Sequence, residues 1–220
     1  PNNPSGISYS EETLKTLASI LEAKQKEYGH DIFLISDEPY REIVYDDVVY
    51  HSPLEYYDDA VMCYSFSKSL SIPGERIGYA AVSDRMKLRE DVYYAIMGAG
   101  RALGYVNPPS LFQLVIDRSL GHYSDAEEYK KNRDILCEAL AEYGYEFNVP
   151  KGAFYLFVKS PLADANEFSD MAKKYELMLV PSDEFGVKGY LRLSYCVSRE
   201  MIIKSLPAFK ALMDEVKTDK

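Results

Sequence analysis

Tryptophan is absent from this chain, cysteine and histidine occur three times each, and basic residues are outnumbered. Each shortage removes a class of function. Cys63, Cys137 and Cys196 lie far apart, each within an apolar pattern. An odd, unclustered set supplies neither a disulfide framework nor paired thiolates for a metal. They read as reduced core thiols of a cytoplasmic protein. His30, His51 and His122 have no second His or Cys at ligand spacing, so no metal site is expected. Lys plus Arg number 25 against 35 Asp plus Glu, a net charge of −10. Nucleic-acid binding draws on a basic face, so no polynucleotide partner is expected, and each arginine is weighed singly as an anion contact. No uncharged apolar run reaches the roughly 20 residues that cross a bilayer, so no membrane span is expected. No cationic stretch followed by an apolar one reads as an export signal.

What is present suits a folded chain: 220 residues, 47% hydrophobic and 27% charged. The opening Pro1-Asn2-Asn3-Pro4-Ser5-Gly6 is a turn cluster without an initiator methionine, and the chain reads as a fragment or processed product of a longer protein. Ser10 before Glu11 and Glu12 has the form of a helix start, and Gly29 of its stop. Short apolar runs at 32–35, 60–64 and 77–82 suit strands buried on both faces, as in a parallel sheet. Their alternation with helical patterns predicts α/β architecture. Helices are expected at 84–98, 108–120 and 124–143. From Phe154 the texture shifts to a smaller α+β unit, with strands at 154–158, 177–180 and 190–195 and helices at 164–175 and 199–216. The boundary is placed between residues 122 and 123, with the helix after it bridging the units.

In an open parallel sheet, ligands bind beyond the carboxyl ends of the strands. Asp37 and Tyr40 follow the first apolar run, Ser65, Ser67 and Lys68 follow the second, and Arg76 stands just ahead of the third. Singly, each has a plain reading: a solvated lysine, turn chemistry at Asp37, turn hydroxyls, an ion-pair arginine, and Asn3 as a turn residue before Pro4. Together they gather an acid, a phenol, hydroxyls, an amine and a guanidinium at one edge. Arg101 and the Tyr56-Tyr57 and Tyr93-Tyr94 pairs read as surface, packing or interface residues.

Four ordered motifs carry a resemblance. They are Asn3-Pro4-Ser5-Gly6, Ser36-Asp37-Glu38-Pro39-Tyr40, Ser65-Phe66-Ser67-Lys68 with Pro73-Gly74-Glu75-Arg76-Ile77-Gly78-Tyr79, and Tyr190-Leu191-Arg192-Leu193-Ser194. With Ala153-Phe154-Tyr155-Leu156-Phe157 and Val180-Pro181 followed by Phe185-Gly186, they resemble the class I and II, fold-type I aminotransferases that use pyridoxal 5'-phosphate. The resemblance implies the C-terminal part of a large, mostly parallel α/β domain over residues 1–122 and a small α+β domain over 123–220. Lys68 would form the internal aldimine and then move a proton between Cα and C4′. Asp37 would pair with the pyridine nitrogen and keep the ring an electron sink. Tyr40 and Asn3 would bind the phenolic oxygen, and Pro39 would pack on the ring. Ser65 and Arg76 would hold the phosphate, with Ser67 either a phosphate neighbour or a structural turn. Arg192 and Asn3 would bind substrate, Arg192 taking its α-carboxylate. The family's Gly-rich phosphate turn, its ring-stacking aromatic and a partner-subunit tyrosine would fall outside these 220 residues. Arg101 has a second reading, as a contact for a distal substrate carboxylate.

The activity so implied is transfer of an α-amino group from an amino acid to a 2-oxo acid, in a homodimer. Alternatives with the same signatures are a C–S β-lyase, an aminocyclopropane-carboxylate-synthase-like enzyme, or the cofactor-sensing domain of a transcriptional regulator.

Overall fold

The computed structural model describes residues 1–218. In chain order its elements are α1 (Glu11–Tyr28), β1 (Leu34–Asp37), β2 (Ala60–Ser65), α2 (Phe66–Ser69), β3 (Gly78–Val82), α3 (Arg89–Ala102), α4 (Ser110–Ser119), α5 (Ala126–Tyr143), β4 (Tyr155–Lys159), α6 (Ala165–Lys173), β5 (Val180–Pro181), β6 (Tyr190–Ser194) and α7 (Arg199–Thr218). They fall into two compact units. One holds Tyr9–Glu42 and Val49–Ser124; the other holds Asp125–Lys220 together with two excursions, Pro1–Ser8 and Ile43–Val48.

In the first unit, α1 begins and ends where its local chemistry dictates. The Ser10 hydroxyl accepts the Thr13 N–H, Glu11 and Glu12 occupy the first turn, and Gly29 closes the helix at φ 70°. Its Ala18 packs with Tyr57 and Ala60, and Leu21, Leu34 and Leu54 extend that cluster. Strands β1 and β2 run parallel, while β3 returns antiparallel along β2. The link from β2 to β3 runs through α2 and a single 3-10 turn and brings the chain back to the edge where β2 ends.

Burial on both faces holds neither for β3, whose first three residues are exposed, nor for β1. Its residues alternate, and Ile35 is 68% exposed, because β1 lies at the edge of a three-stranded sheet. Helix α3 starts at Arg89 rather than 84, because the chain first makes turns: the Ser83 hydroxyl accepts the Arg85 N–H (3.3 Å) and the Ser83 carbonyl the Met86 N–H (3.2 Å). Tyr57 is buried, whereas Tyr93 and Tyr94 on α3 and Leu111, Leu114 and Val115 on α4 are exposed.

In the second unit β6 lies between β4 and β5, both antiparallel to it. Leu156, Val158, Leu191 and Leu193 form the buried face of this sheet. Helix α6 contacts β5 and β6, and α5 packs along α7. The expected strand at 177–180 shortens to Val180–Pro181, because the Leu177 N–H still bonds the Ala172 carbonyl at the end of α6. Cys137 is buried and its thiol is pushed up to about 12 by desolvation, but Cys196 is exposed beyond the end of β6, so it is not a core thiol.

Arg133, only 3% exposed, fastens the excursion Ile43–Val48 to α5. Its guanidinium donates to both Asp46 carboxylate oxygens (2.6 and 3.1 Å) and to the Pro150 carbonyl (2.9 Å), and lies over the Tyr45 ring at 4.9 Å. The bonds from Arg133 hold the Asp46 carboxyl down at about 2, against 3.8 for an ordinary aspartate. A depressed carboxylate stabilises the fold above its unfolded value and loses that contribution as pH falls through its folded value. Asp46→Asn is therefore expected to cost about 1 to 2 kcal/mol at pH 7 in denaturant titrations. The gap to the parent should narrow as pH falls from 3.8 towards 2.

Candidate active site

Strand polarity explains why the candidate residues share one edge. The carboxyl ends of parallel β1 and β2 lie together, carrying Asp37 and Ser65. Antiparallel β3 begins at that same edge, with Gly78 paired to Ser65, and Arg76 stands two residues ahead. A Cβ at Gly78 would lie 2.2 Å from the Tyr64 carbonyl oxygen, so only glycine lets β3 start so close to β2.

The acidic turn after β1 is held from inside. Glu38 is 5% exposed, and its N–H bonds the Cys63 carbonyl, extending the β1–β2 ladder. Its carboxylate accepts from Tyr50 Oη and from Ser52 Oγ (3.0 Å). Burial, and then Glu38, pushes the Tyr50 phenol above its ordinary range. Asp37 reaches solvent, yet desolvation by the surrounding protein first, and the Glu38 charge second, raise its carboxyl above 3.8. Tyr40 is buried and Pro39 half-buried. Next to Tyr40, the Arg41 guanidinium lies 4.3 Å from the Tyr64 ring and bonds Glu42 (2.7 Å) and Tyr79 Oη (3.3 Å).

After β2, Ser65 Oγ accepts the Ser67 N–H (3.2 Å) and donates to Ser67 Oγ (2.7 Å), making a local cap for α2. Lys68 follows, half-buried, on the third residue of α2. Arg76 is exposed in the left-handed region (φ 52°), with one guanidinium N–H on the Pro73 carbonyl at 3.1 Å.

Asn3 and Arg192 belong to the other unit and meet there. Arg192 Nη1 donates to Asn3 Oδ1 at 3.0 Å. Its guanidinium lies 4.7 Å from the Tyr155 ring and 4.8 Å from the Phe185 ring. Gly6, at φ 66°, closes the turn that carries Asn3, and a Cβ there would lie 2.3 Å from Pro150 Cβ.

Sequence reasoning did not find Glu38, Tyr50, Arg41, Tyr64 or the flanking of Arg192 by Tyr155 and Phe185. The last had a signal: strand alternation sets Tyr155 and Arg192 on the face opposite the buried leucines. The others depend on partners far along the chain. Arg101 is exposed on α3. Among the described residues, no group of three His, Cys, Asp or Glu side chains could hold a metal ion, and no helix is long and apolar enough to cross a membrane.

The raised Asp37 carboxyl has a stability signature. Its ionisation costs the fold free energy above the folded value, and that cost disappears once both folded and unfolded forms are protonated below 3.8. Asp37→Asn is expected to raise the melting temperature of the cofactor-free protein at neutral pH, with the gain shrinking as pH falls towards 3.8. An equal gain at all pH values would contradict this account.

Residues 1–208 match the model of the family described as aminotransferase class I and II. A probable aspartate aminotransferase of Methanocaldococcus jannaschii is 31% identical over 97% of this chain and 57% of its own length. An aspartate aminotransferase of Pyrococcus horikoshii is 27% identical over 94% of this chain and 53% of its own. The crystal structure of an amino transferase from Eubacterium rectale has a TM-score of 0.94 and 52% identity, covering 98% of this chain and 54% of that one. The chain thus spans about half the length of the curated relatives it matches. The resemblance carried by the four motifs is borne out, and with it the fold-type I architecture. The chain belongs to the class I and II aminotransferases.

Proposed function

We propose that this chain carries the catalytic lysine and most of the cofactor contacts of an aminotransferase that moves an α-amino group from an amino acid to a 2-oxo acid. What supports the reading is the strand edge where β1 ends on Asp37 and β2 on Ser65, with Tyr40, Ser67 and Lys68 following those ends in sequence and Arg76 two residues ahead of β3. Pyridoxal 5'-phosphate fits this donor set: an acid for its ring nitrogen, a phenol for its phenolic oxygen, an amine for its aldehyde, and hydroxyls with a guanidinium for its phosphate. When bound, the cofactor supplies an electron sink beside the reacting Cα.

The residues divide the remaining work. Lys68 would be the Schiff-base lysine and afterwards the base that takes the Cα proton. Asp37 would hold a proton on the ring nitrogen. Its raised proton affinity reflects desolvation and the Glu38 charge, and a cationic ring nitrogen beside it would offset both. Tyr40 and Asn3 would donate to the phenolic oxygen, Pro39 would pack against the ring, and Ser65, Ser67 and Arg76 would bind the phosphate. Arg192 would bind the substrate carboxylate, its planar group oriented in advance by Asn3, Tyr155 and Phe185. Residues 1–122 would form part of the cofactor domain and 123–220 the small domain.

Relatives are named for aspartate, for aspartate/prephenate, for aromatic amino acids and for N-acetyl-LL-diaminopimelate. All these names are aminotransferase names, which favours transfer over the lyase, synthase and regulator readings. The exposed apolar side chains of α3 and α4 are consistent with a homodimer. The cytoplasmic assignment rests on three thiols outside any disulfide.

Borohydride reduction of the protein mixed with pyridoxal 5'-phosphate is expected to fix the label on Lys68 by peptide mapping, and Lys68→Ala should lose both label and visible absorbance. A label on other lysines alone would sink the reading. Arg192→Lys is expected to raise KM for amino and oxo acid alike by about tenfold to a hundredfold, the loss of a charge-assisted bidentate contact.

A further inference from the structure

Helix α2 is four residues long. Isolated helices below roughly 12 residues are marginal in water, because nucleation costs more than so few bonds return. The backbone carrying Lys68 must therefore be shaped by its neighbours. At its start the Phe66 N–H bonds the Ile77 carbonyl (3.1 Å) and Ser65 caps the turn. At its end the carbonyls of Lys68 and Ser69 face the helix's unfilled acceptor positions. Ser124, 56 residues downstream of Lys68, meets both. Its hydroxyl donates to the Lys68 carbonyl at 3.1 Å, and its N–H bonds the Ser69 carbonyl at 2.6 Å. The Lys68 carbonyl also receives two local N–H groups, from Leu70 and from Ser71 at 3.4 Å, so Ser124 adds the long-range contact. A further clamp comes from below: Tyr64 Oη donates to Ser69 Oγ at 2.8 Å, and Ser69 is 0% exposed.

We propose that Ser124 is a positioning residue for Lys68, holding the peptide from which the reactive amine projects, with Tyr64 and Ser69 fixing the next residue. The proposal rests on the reading of Lys68 as the cofactor lysine. Ser124 acts on the carbonyl of Lys68 itself, so its loss would displace that Cα rather than merely loosen the neighbourhood. Removing one hydroxyl while keeping the Ser124 N–H leaves half of the clamp, which makes the effect graded.

The test compares the parent with Ser124→Ala, Ser124→Thr and Tyr64→Phe. In the cofactor-free protein, Ser124→Ala should speed hydrogen exchange of the amides from Leu70 to Ser71 by about fivefold, the worth of one ordinary hydrogen bond, while β1 and β2 are unchanged. Ser124→Thr, which keeps the hydroxyl, should restore protection. With pyridoxal 5'-phosphate added, Ser124→Ala should slow borohydride-trapped labelling of Lys68 and shift the pH midpoint of the visible band, again with rescue by Thr. Unchanged exchange in both Ser124→Ala and Tyr64→Phe would overturn the clamp. Altered exchange with the parent's labelling rate and pH midpoint would reduce Ser124 to a structural role. Absence of Lys68 labelling in the parent itself defeats the cofactor reading instead, and is read without any variant.

Discussion

The first unit depends on one close approach, that of Gly78 at the start of β3 to the Tyr64 carbonyl of β2. The link from β2 turns back through α2 and starts antiparallel β3 at Gly78, opposite Ser65. Because β1 is parallel to β2, the same edge receives Asp37. Lys68 follows that end of β2 on α2, and Arg76 stands two residues ahead of β3. Gly78 is the condition for this, since the Tyr64 carbonyl occupies the space a Cβ would need.

Arginines in this acidic chain are held in a recurring way. Arg41 lies over Tyr64, Arg133 over Tyr45, and Arg192 between Tyr155 and Phe185. A guanidinium is weakly hydrated in its plane normal and stacks on aromatic faces while its edge hydrogen-bonds. Each of the three spends its edge on a fixed partner: Glu42, Asp46 or Asn3. Tyr45, Tyr64 and Tyr155, three of the twenty tyrosines, thus have a use beyond packing, as platforms that orient cations.

What was legible in the sequence was chiefly local. Ser10 and Gly29 bound α1 because capping involves neighbours three or four residues away. The motifs around Asp37, Lys68 and Arg76 stood out because their spacing is set by strand ends. Strand direction was not legible from the apolar run of β3 alone, which suits either polarity. Ser124 gave no signal at all, since a serine beside a helix cap has an ordinary local explanation and its partners lie at Lys68 and Ser69. The start of α3 differs from its apolar pattern because Ser83 turns the chain through local bonds that helical periodicity does not reveal.

The two adjacent carboxylates after β1 show how one turn can support opposed environments. Glu38 points inward and is anchored by two hydroxyls, so the charge it holds is hydrogen-bonded rather than solvated. Asp37 lies at the strand edge, where desolvation first and the like charge of Glu38 second disfavour its ionisation. A cation bound there gains from Asp37 and relieves the repulsion from Glu38 at once. In the proposed reading, such an edge would favour a protonated ring nitrogen over a neutral one, which is the protonation state an electron sink requires.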